Sequence, residues 1–308
     1  LASLALAGQA SASVCPSFLL NMRQNADLQR IRSQFDPNHF YWQFPSDHLP
    51  VVGDVKLRQT GERFRILTWN VLNQTYIDFI INGTQGLKVS EITTVADRKE
   101  RVLQILRELN AEIGPAVIAL QEVDSELAAA LADWALARQF ELRLTENPSR
   151  GRNGEIVDFG AVLFNSRRLT EVPELRGLAH FSDSSKYIQR FGFQTRRGAT
   201  FLFTNVNRAY RDNETLQKYF LYPFFHPSII VGDFNWNLPS IKRELAAIPG
   251  LSIMKIMKKA SGDFSHIDTE RKLSDYDHIL YSGRVTVQSR AEWNLKARRH
   301  FRITKSAP

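Results

Sequence analysis

The chain of 308 residues has one cysteine, Cys15, so it can form no internal disulfide and no cysteine-based zinc site. No apolar run approaches the ~18 residues that a membrane-spanning helix requires, which excludes one. No internal repeat and no low-complexity segment occurs. His180, His226, His266 and His300 have no ligand spacing with one another, which argues against a structural zinc site. The first residues, "LASLALAGQASASVC", have neither an initiator Met nor a basic n-region. Their small residues Ala10 and Ala12 fit either the remnant of a signal peptide or an Ala-rich helix. An exported protein or a cytoplasmic one therefore both remain open.

Acidic residues are in the minority. Lys and Arg number 40 against 32 Asp and Glu, a formal charge of +8, which suits anionic partners such as nucleic acid, nucleotides or a phosphorylated lipid surface. With 43% hydrophobic residues the composition is that of a globular chain with a full core. Residues 1–35 read as an N-terminal segment and 36–308 as one domain, with nothing that implies an obligate oligomer.

Short apolar runs of strand type recur along that domain. "LPVVGDVKL" and "RFRILTWNV" (Arg63–Val71) are joined by a polar link containing Gly61, which predicts an antiparallel hairpin. "DRKERVLQILRELN" (Asp97–Asn110) puts Val102, Ile105, Leu106 and Leu109 on one face of a helix. The continuous run "AVIAL" is of buried-strand type. Phe159–Asn165, Thr200–Val206, Ser228–Phe234 and Asp277–Gly283 continue the theme, "RVTVQS" adds a further strand, and Pro239–Ala247 is helical. "ENPSRGRNGEIVD" and "RAYRDNETLQ" read as long polar loops. Strands with few helices and long loops predict an α/β sandwich whose site lies on its loops.

Polar residues stand at five strand ends: Asn70, Glu122, Asn207, Asp233 with Asn235, and Asp277. Singly, each is most simply a loop cap. Together with Asp47-His48 of "FPSDHLPV" they make a set suited to phosphoester hydrolysis. A hard cation such as Mg2+ needs one or two carboxylates. A carboxylate can orient or activate water, amides can hold phosphate, and an imidazolium can meet developing charge.

"ILTWNVL", "IALQEVD", "IIVGDFN", "DHILYS" and "SDHLPV" resemble the signature strands of the endonuclease/exonuclease/phosphatase superfamily, over most of Asp36–Gly283. The resemblance implies a four-layer α/β sandwich, two mostly antiparallel sheets flanked by helices, and Mg2+-dependent (or Mn2+-dependent) cleavage of phosphoesters. It implies Glu122, Asn70 and Asp47 around the metal. Asp233 would activate or orient water, Asn235 and Asn207 would lie in the phosphate region, and Asp277 would pair with His48.

Two features depart from the family pattern. Asn207 stands where many members have His, an amide also found in the abasic-site endonuclease branch. And "SDHLPV", which closes the family's chains, here precedes "RILTWNV", so a circular permutant is expected.

"FPSDHLPV", "RILTWNVLNQTY" and the helix-strand unit ending in "LQEVD" look closest to the deadenylase/nocturnin-like branch. That favours a metal-dependent nuclease or nucleotide phosphodiesterase. A phosphoinositide phosphatase or sphingomyelinase-like enzyme meeting a membrane, and a non-catalytic binding module, are the alternatives. Arg211, Lys218, Lys258, Lys259, Arg298 and Arg299 are candidate phosphate contacts, each more simply surface charge. Tyr210, Tyr219 and Trp236 are candidates for stacking on a base, Tyr219 more simply a core residue, and His278 is read as packing.

Overall fold

The structure, a computed structural model, describes residues 46–48, 50–74, 76, 95–145, 158–181, 186–209, 214–220, 226–258, 265–267 and 273–289. Tyr210, Arg211, Lys259, Arg298, Arg299, His300 and the N-terminal segment lie outside these residues, as does all but Asp158 of the loop 146–158.

Strands with both faces covered need apolar residues at successive positions, and the central strands have them. Strand β1 (Val51–Leu57) turns at Gly61, φ 71°, into β2 (Arg63–Asn70), and the two pair antiparallel as expected, Val55 opposite Phe64. Helix α1 (Val95–Ile113) then leads to β3 (Val117–Val123), α2 (Ser125–Leu136) and the antiparallel strands β4 (Phe140–Leu144) and β5 (Phe159–Asn165). A second run follows: β6 (Leu169–His180), β7 (Tyr187–Thr195), β8 (Thr200–Asn207), α3 (Glu214–Tyr219), β9 (Ser228–Asp233) and α4 (Leu238–Ala247). Short strands β10 (Lys255–Ile256), β11 (His266–Ile267) and β12 (Leu273–Ser274) precede β13 (Asp277–Tyr281) and β14 (Val285–Ser289). The stretch "RAYRDNETLQ" is therefore not all loop, because α3 begins within it at Glu214.

Two six-stranded sheets result, ordered β14-β1-β2-β3-β5-β4 and β10-β13-β9-β8-β7-β6. Each contains one parallel pair, β2 with β3 and β8 with β9, in an otherwise antiparallel arrangement. Alternate residues divide between two environments. Val55, Ile66, Val117, Phe203, Ile229, Val231 and Ile279 fill the gap between the sheets. Leu67, Ile118 and Leu120 face α1 and α2, against Leu106, Leu127, Leu131 and Trp134. Ile230 and Leu280 face α3 and α4, against Leu216, Ile241 and Leu245. This is the expected four-layer sandwich. No helix among the described residues is long and apolar enough to cross a membrane.

Candidate active site

The gap between the sheets changes character toward one end. Above the apolar layer, Gln121 Nε2 donates to Asn205 Oδ1 (2.7 Å) and to Thr68 Oγ1 (3.0 Å), tying the two sheets together. Asn205 Nδ2 reaches Gln189 Oε1 at 3.4 Å. One further step along the same alternation come Asn70 on β2, Asn207 on β8, Asp233 on β9 and Asp277 on β13. Apolar, amide and ionisable layers thus succeed one another within a single buried gap. The strands' pleat sets this order, since residues two apart share a face.

Strand register places three of these residues side by side: Asn207 is opposite Asp233, and Asp233 is opposite Asp277. Gly232 makes the approach possible. At φ 134° a Cβ there would lie 1.9 Å from Val206 O, which explains the glycine in "GDFN". Asp233 receives Asn70 Nδ2 on one oxygen (3.2 Å) and the Asn235 backbone N–H on the other (2.8 Å). Asn235, at φ 51°, donates its side-chain amide to Arg208 O (2.8 Å).

The Ser-Asp-His segment completes this half of the site. Ser46 Oγ donates to Asn70 O (2.7 Å) and accepts the His48 N–H (3.0 Å), while Trp69 Nε1 donates to His48 O (2.9 Å). Held in this way, His48 Nδ1 meets Asp277 Oδ2 at 2.8 Å and its Nε2 lies 4.0 Å from Asp233 Oδ2. Burial alone would lower the pKa of His48, but Asp277, Asp47 and Asp233 raise it to about 10, so the ring is an imidazolium at neutral pH. Burial pushes the Asp233 carboxyl up to about 6, against the pull of His48. The expected pairing of His48 with Asp277 is thus present.

His266 also belongs here, contrary to the expectation from histidine spacing. Its ring centroid is 4.6 Å from that of His48, and its Nε2 is 3.5 Å from Asp47 Oδ2. Burial pushes the Asp47 carboxyl up, but His48 and His266 outweigh this and hold it below the usual range. An isolated bridge between His48 and His266 brings the two segments together, a contact that no local spacing signals.

The other half of the site is Glu122. Strict alternation would put it on the helix-facing side with Ile118 and Leu120. A left-handed φ of 59° and a register shift between Leu120 and Val123 break that alternation. Such a conformation costs about 1–3 kcal/mol in a non-glycine residue and points to function. Its carboxylate forms an ion pair with Lys186, which stands just before β7 in the opposite sheet. Burial works against this ammonium, yet Glu122, then Tyr76 and Asp158, hold its pKa above the usual lysine range. Lys186 has no sequence motif to mark it. In the same "LQEVD" motif, Asp124 is architectural: it caps α2 by accepting the Leu127 N–H (2.8 Å) and pairs with Arg98 at 2.5 Å.

The residues present fit a hard divalent cation. The donors are carboxylate and amide oxygens, Glu122 and Asp47 are both buried, and Asp47 Oδ1 has no hydrogen-bond partner in the protein. Two groupings have ligand atoms within 4.8 Å of one another, Asp47, His48 and His266, and His48, Asp233 and Asp277; both count His48, which as an imidazolium has no lone pair to offer, and neither includes Glu122.

The candidate substrate contacts divide. Half-buried Trp236 carries the Arg208 guanidinium 3.7 Å from its ring centroid, so a base would have to stack on the opposite face. Lys218 pairs with Glu214 on an exposed turn, and Lys258 is exposed. Tyr219 packs against the α3 and α4 core, and buried His278 donates to Trp236 O (2.7 Å).

Residues 67–298 match the Endonuclease/Exonuclease/phosphatase family. Among solved structures, the chain resembles the human nocturnin catalytic domain with bound sulfate: 16% identity, 76% of this chain and 82% of that one, TM-score 0.50. An endonuclease/exonuclease/phosphatase family protein from Bacteroides thetaiotaomicron matches at 12% identity, over 77% and 84%, TM-score 0.51. A mannosyl-6-phosphatase of Bacteroides thetaiotaomicron VPI-5482 matches at 13% identity, over 71% and 85%, TM-score 0.50. At these identities the likeness concerns the fold. No curated protein matches the chain. The family match takes in β3, β9 and β13, whose ends bear Glu122, Asp233 and Asp277, and this chain belongs to the Endonuclease/Exonuclease/phosphatase family.

Proposed function

We propose that the protein is a metal-dependent phosphoesterase that hydrolyses phosphodiester bonds in nucleic acid or nucleotides. The observation that carries the proposal is the side-by-side placement of Asn207, Asp233 and Asp277 with the His48 ring held against the last two. Asp233 orients the attacking water and takes its proton, a task suited to a carboxyl titrating at about 6. His48, fixed by Asp277, meets the charge that develops on the phosphoryl oxygens. Asn70 and Asn235 hold Asp233 in place, and Asn207 stands beside it for the phosphate. Glu122, Asp47 and Asn70 are the residues that would hold Mg2+ or Mn2+. A cation bound there would polarise the phosphoryl group and support the leaving oxygen.

The net charge of +8 favours a polyanionic substrate. Purified protein incubated with Mg2+, Mn2+ or chelator is expected to cleave single-stranded RNA, abasic DNA or a nucleotide diester only when metal is present. Release confined to phosphoinositides or sphingomyelin would replace this substrate class with lipid headgroups. No release from any substrate would favour a binding module.

The same reading includes circular permutation. Strand β1 lies between β14 and β2, the matched family region begins at Leu67 within β2, and Ser289 at the end of β14 sits opposite Gly53. A short turn after β14 would therefore lead straight back into β1, the family's closing strand. A chain in which residues 46–62 are moved to follow Ser289 is expected to fold and keep its activity. An unfolded product would count against the permutation.

A further inference from the structure

Glu122 meets a cation that the chain itself supplies. Lys186 crosses from the opposite sheet to pair with it, and its ammonium also lies 5.0 Å from the Tyr76 ring centroid. The lysine side chain is 16% exposed and the glutamate side chain 7%. An ammonium and a divalent cation cannot share one buried carboxylate without repulsion, so one must yield for the other to bind.

We propose that Lys186 is a tethered competitor of the divalent cation. It neutralises Glu122 while the metal is away, and its displacement sets the metal affinity. The inference rests on the metal-dependent reading above. Asp158, fully buried, is a second carboxylate whose charge acts on the ammonium. The backbone of Glu122 need not move, because its left-handed conformation already aims the carboxylate away from the alternation of β3. Lys186 is thus a positioning residue that acts through Glu122. Until it leaves, only a fraction of molecules can accept metal, and the apparent dissociation constant exceeds the intrinsic one by the inverse of that fraction.

The test measures Mn2+ binding by calorimetry, without substrate, on the wild-type protein, Lys186→Met and Lys186→Arg. Lys186→Met is expected to bind Mn2+ at least about tenfold more tightly, since breaking a charged hydrogen bond no longer opposes binding. It should also lose thermal stability without metal and gain more from added Mn2+ than wild type does. Lys186→Arg, which keeps the charge, should stay near the wild-type affinity. Equal or weaker binding by Lys186→Met would overturn the competition and leave the metal reading standing. An absence of Mn2+ binding in wild type and Lys186→Met alike would overturn both.

Should Lys186→Met not fold, the wild-type protein itself decides the matter. With its lysines 13C-methylated, the Lys186 resonance, assigned by its loss in Lys186→Arg, is expected to shift on Mg2+ addition. A resonance that stays in place would overturn the proposal.

Discussion

The two halves of the site are built on different principles. The His48 half is set by pairing: Asn207, Asp233 and Asp277 stand in register on three neighbouring strands, and Ser46, Asn70 and Trp69 hold the histidine segment by three hydrogen bonds. The Glu122 half depends on one strained backbone conformation and one ion pair. Where geometry follows from sheet register, hydrogen bonds from neighbouring residues finish what the pairing begins. Where it departs from register, local strain and a charged partner hold it. The His48 half therefore has several partners, and in the proposal above the Glu122 half, with its one ion pair, is the one that exchanges a partner.

Substitutions can break or sharpen this contrast. Asp233→Ala and His48→Ala should have the largest effect, lowering phosphodiesterase kcat by about 10²–10⁴ each if acid–base and charge-stabilising roles are theirs. Single-turnover rates would check this, and near-normal rates would remove either residue from the scheme. Glu122→Gln should lower kcat by about 10²–10³ and abolish the response to Mn2+ in a thermal melt. A melt that still responds to Mn2+ would place the cation elsewhere.

Asp277→Asn should cost less, about 10–100-fold, because it acts through the imidazolium and does not touch the reacting atoms. Its signature is a pH profile. Asp277 is the strongest of the groups raising the His48 pKa to about 10, so the alkaline limb should move to lower pH in the variant. An unmoved limb would mean that His48 does not govern it.

The same shift makes a smaller prediction about stability. A histidine whose pKa is raised on folding contributes stability that is complete below about 6.5 and lost as pH climbs through about 10. Melting temperature should therefore fall between pH 7 and 10.5 in wild type, and less steeply in His48→Gln. Smallest of all is Lys218→Ala. It removes an exposed ion pair with Glu214, outside both halves, and should change stability by under about 1 kcal/mol and activity not at all.

Sequence reading reached the His48 half more fully than the Glu122 half, for a physical reason. Strand ends at Asn70, Asn207, Asp233 and Asp277 follow from where apolar runs stop, and register then assembles them. Glu122 was legible as part of "LQEVD", but its partner was not. Lys186 is marked by no period or spacing, and His266 meets His48 only through the folded chain. Several elements were missed, among them β4, β7, α2 and β6, and the last two have local grounds. The Ala-rich run of α2 is apolar on most sides and shows no clear helical stripe. The long, largely uncovered β6 includes Pro173 and several charged residues, and its register shifts between Val172 and Gly177. Such a strand occurs at a sheet edge and reads poorly from alternation.

The position of β1 has a consequence for synthesis. The β1–β2 hairpin brings His48 and Asn70 together among the first described residues, whereas Asp277 and β14 are translated more than two hundred residues later. A two-stranded hairpin alone is at best marginally stable in water, and the histidine beside it has no Asp277 carboxylate until β13 emerges from the ribosome. The order of strands thus makes the His48–Asp277 pair one of the last contacts of the candidate site that a growing chain can form.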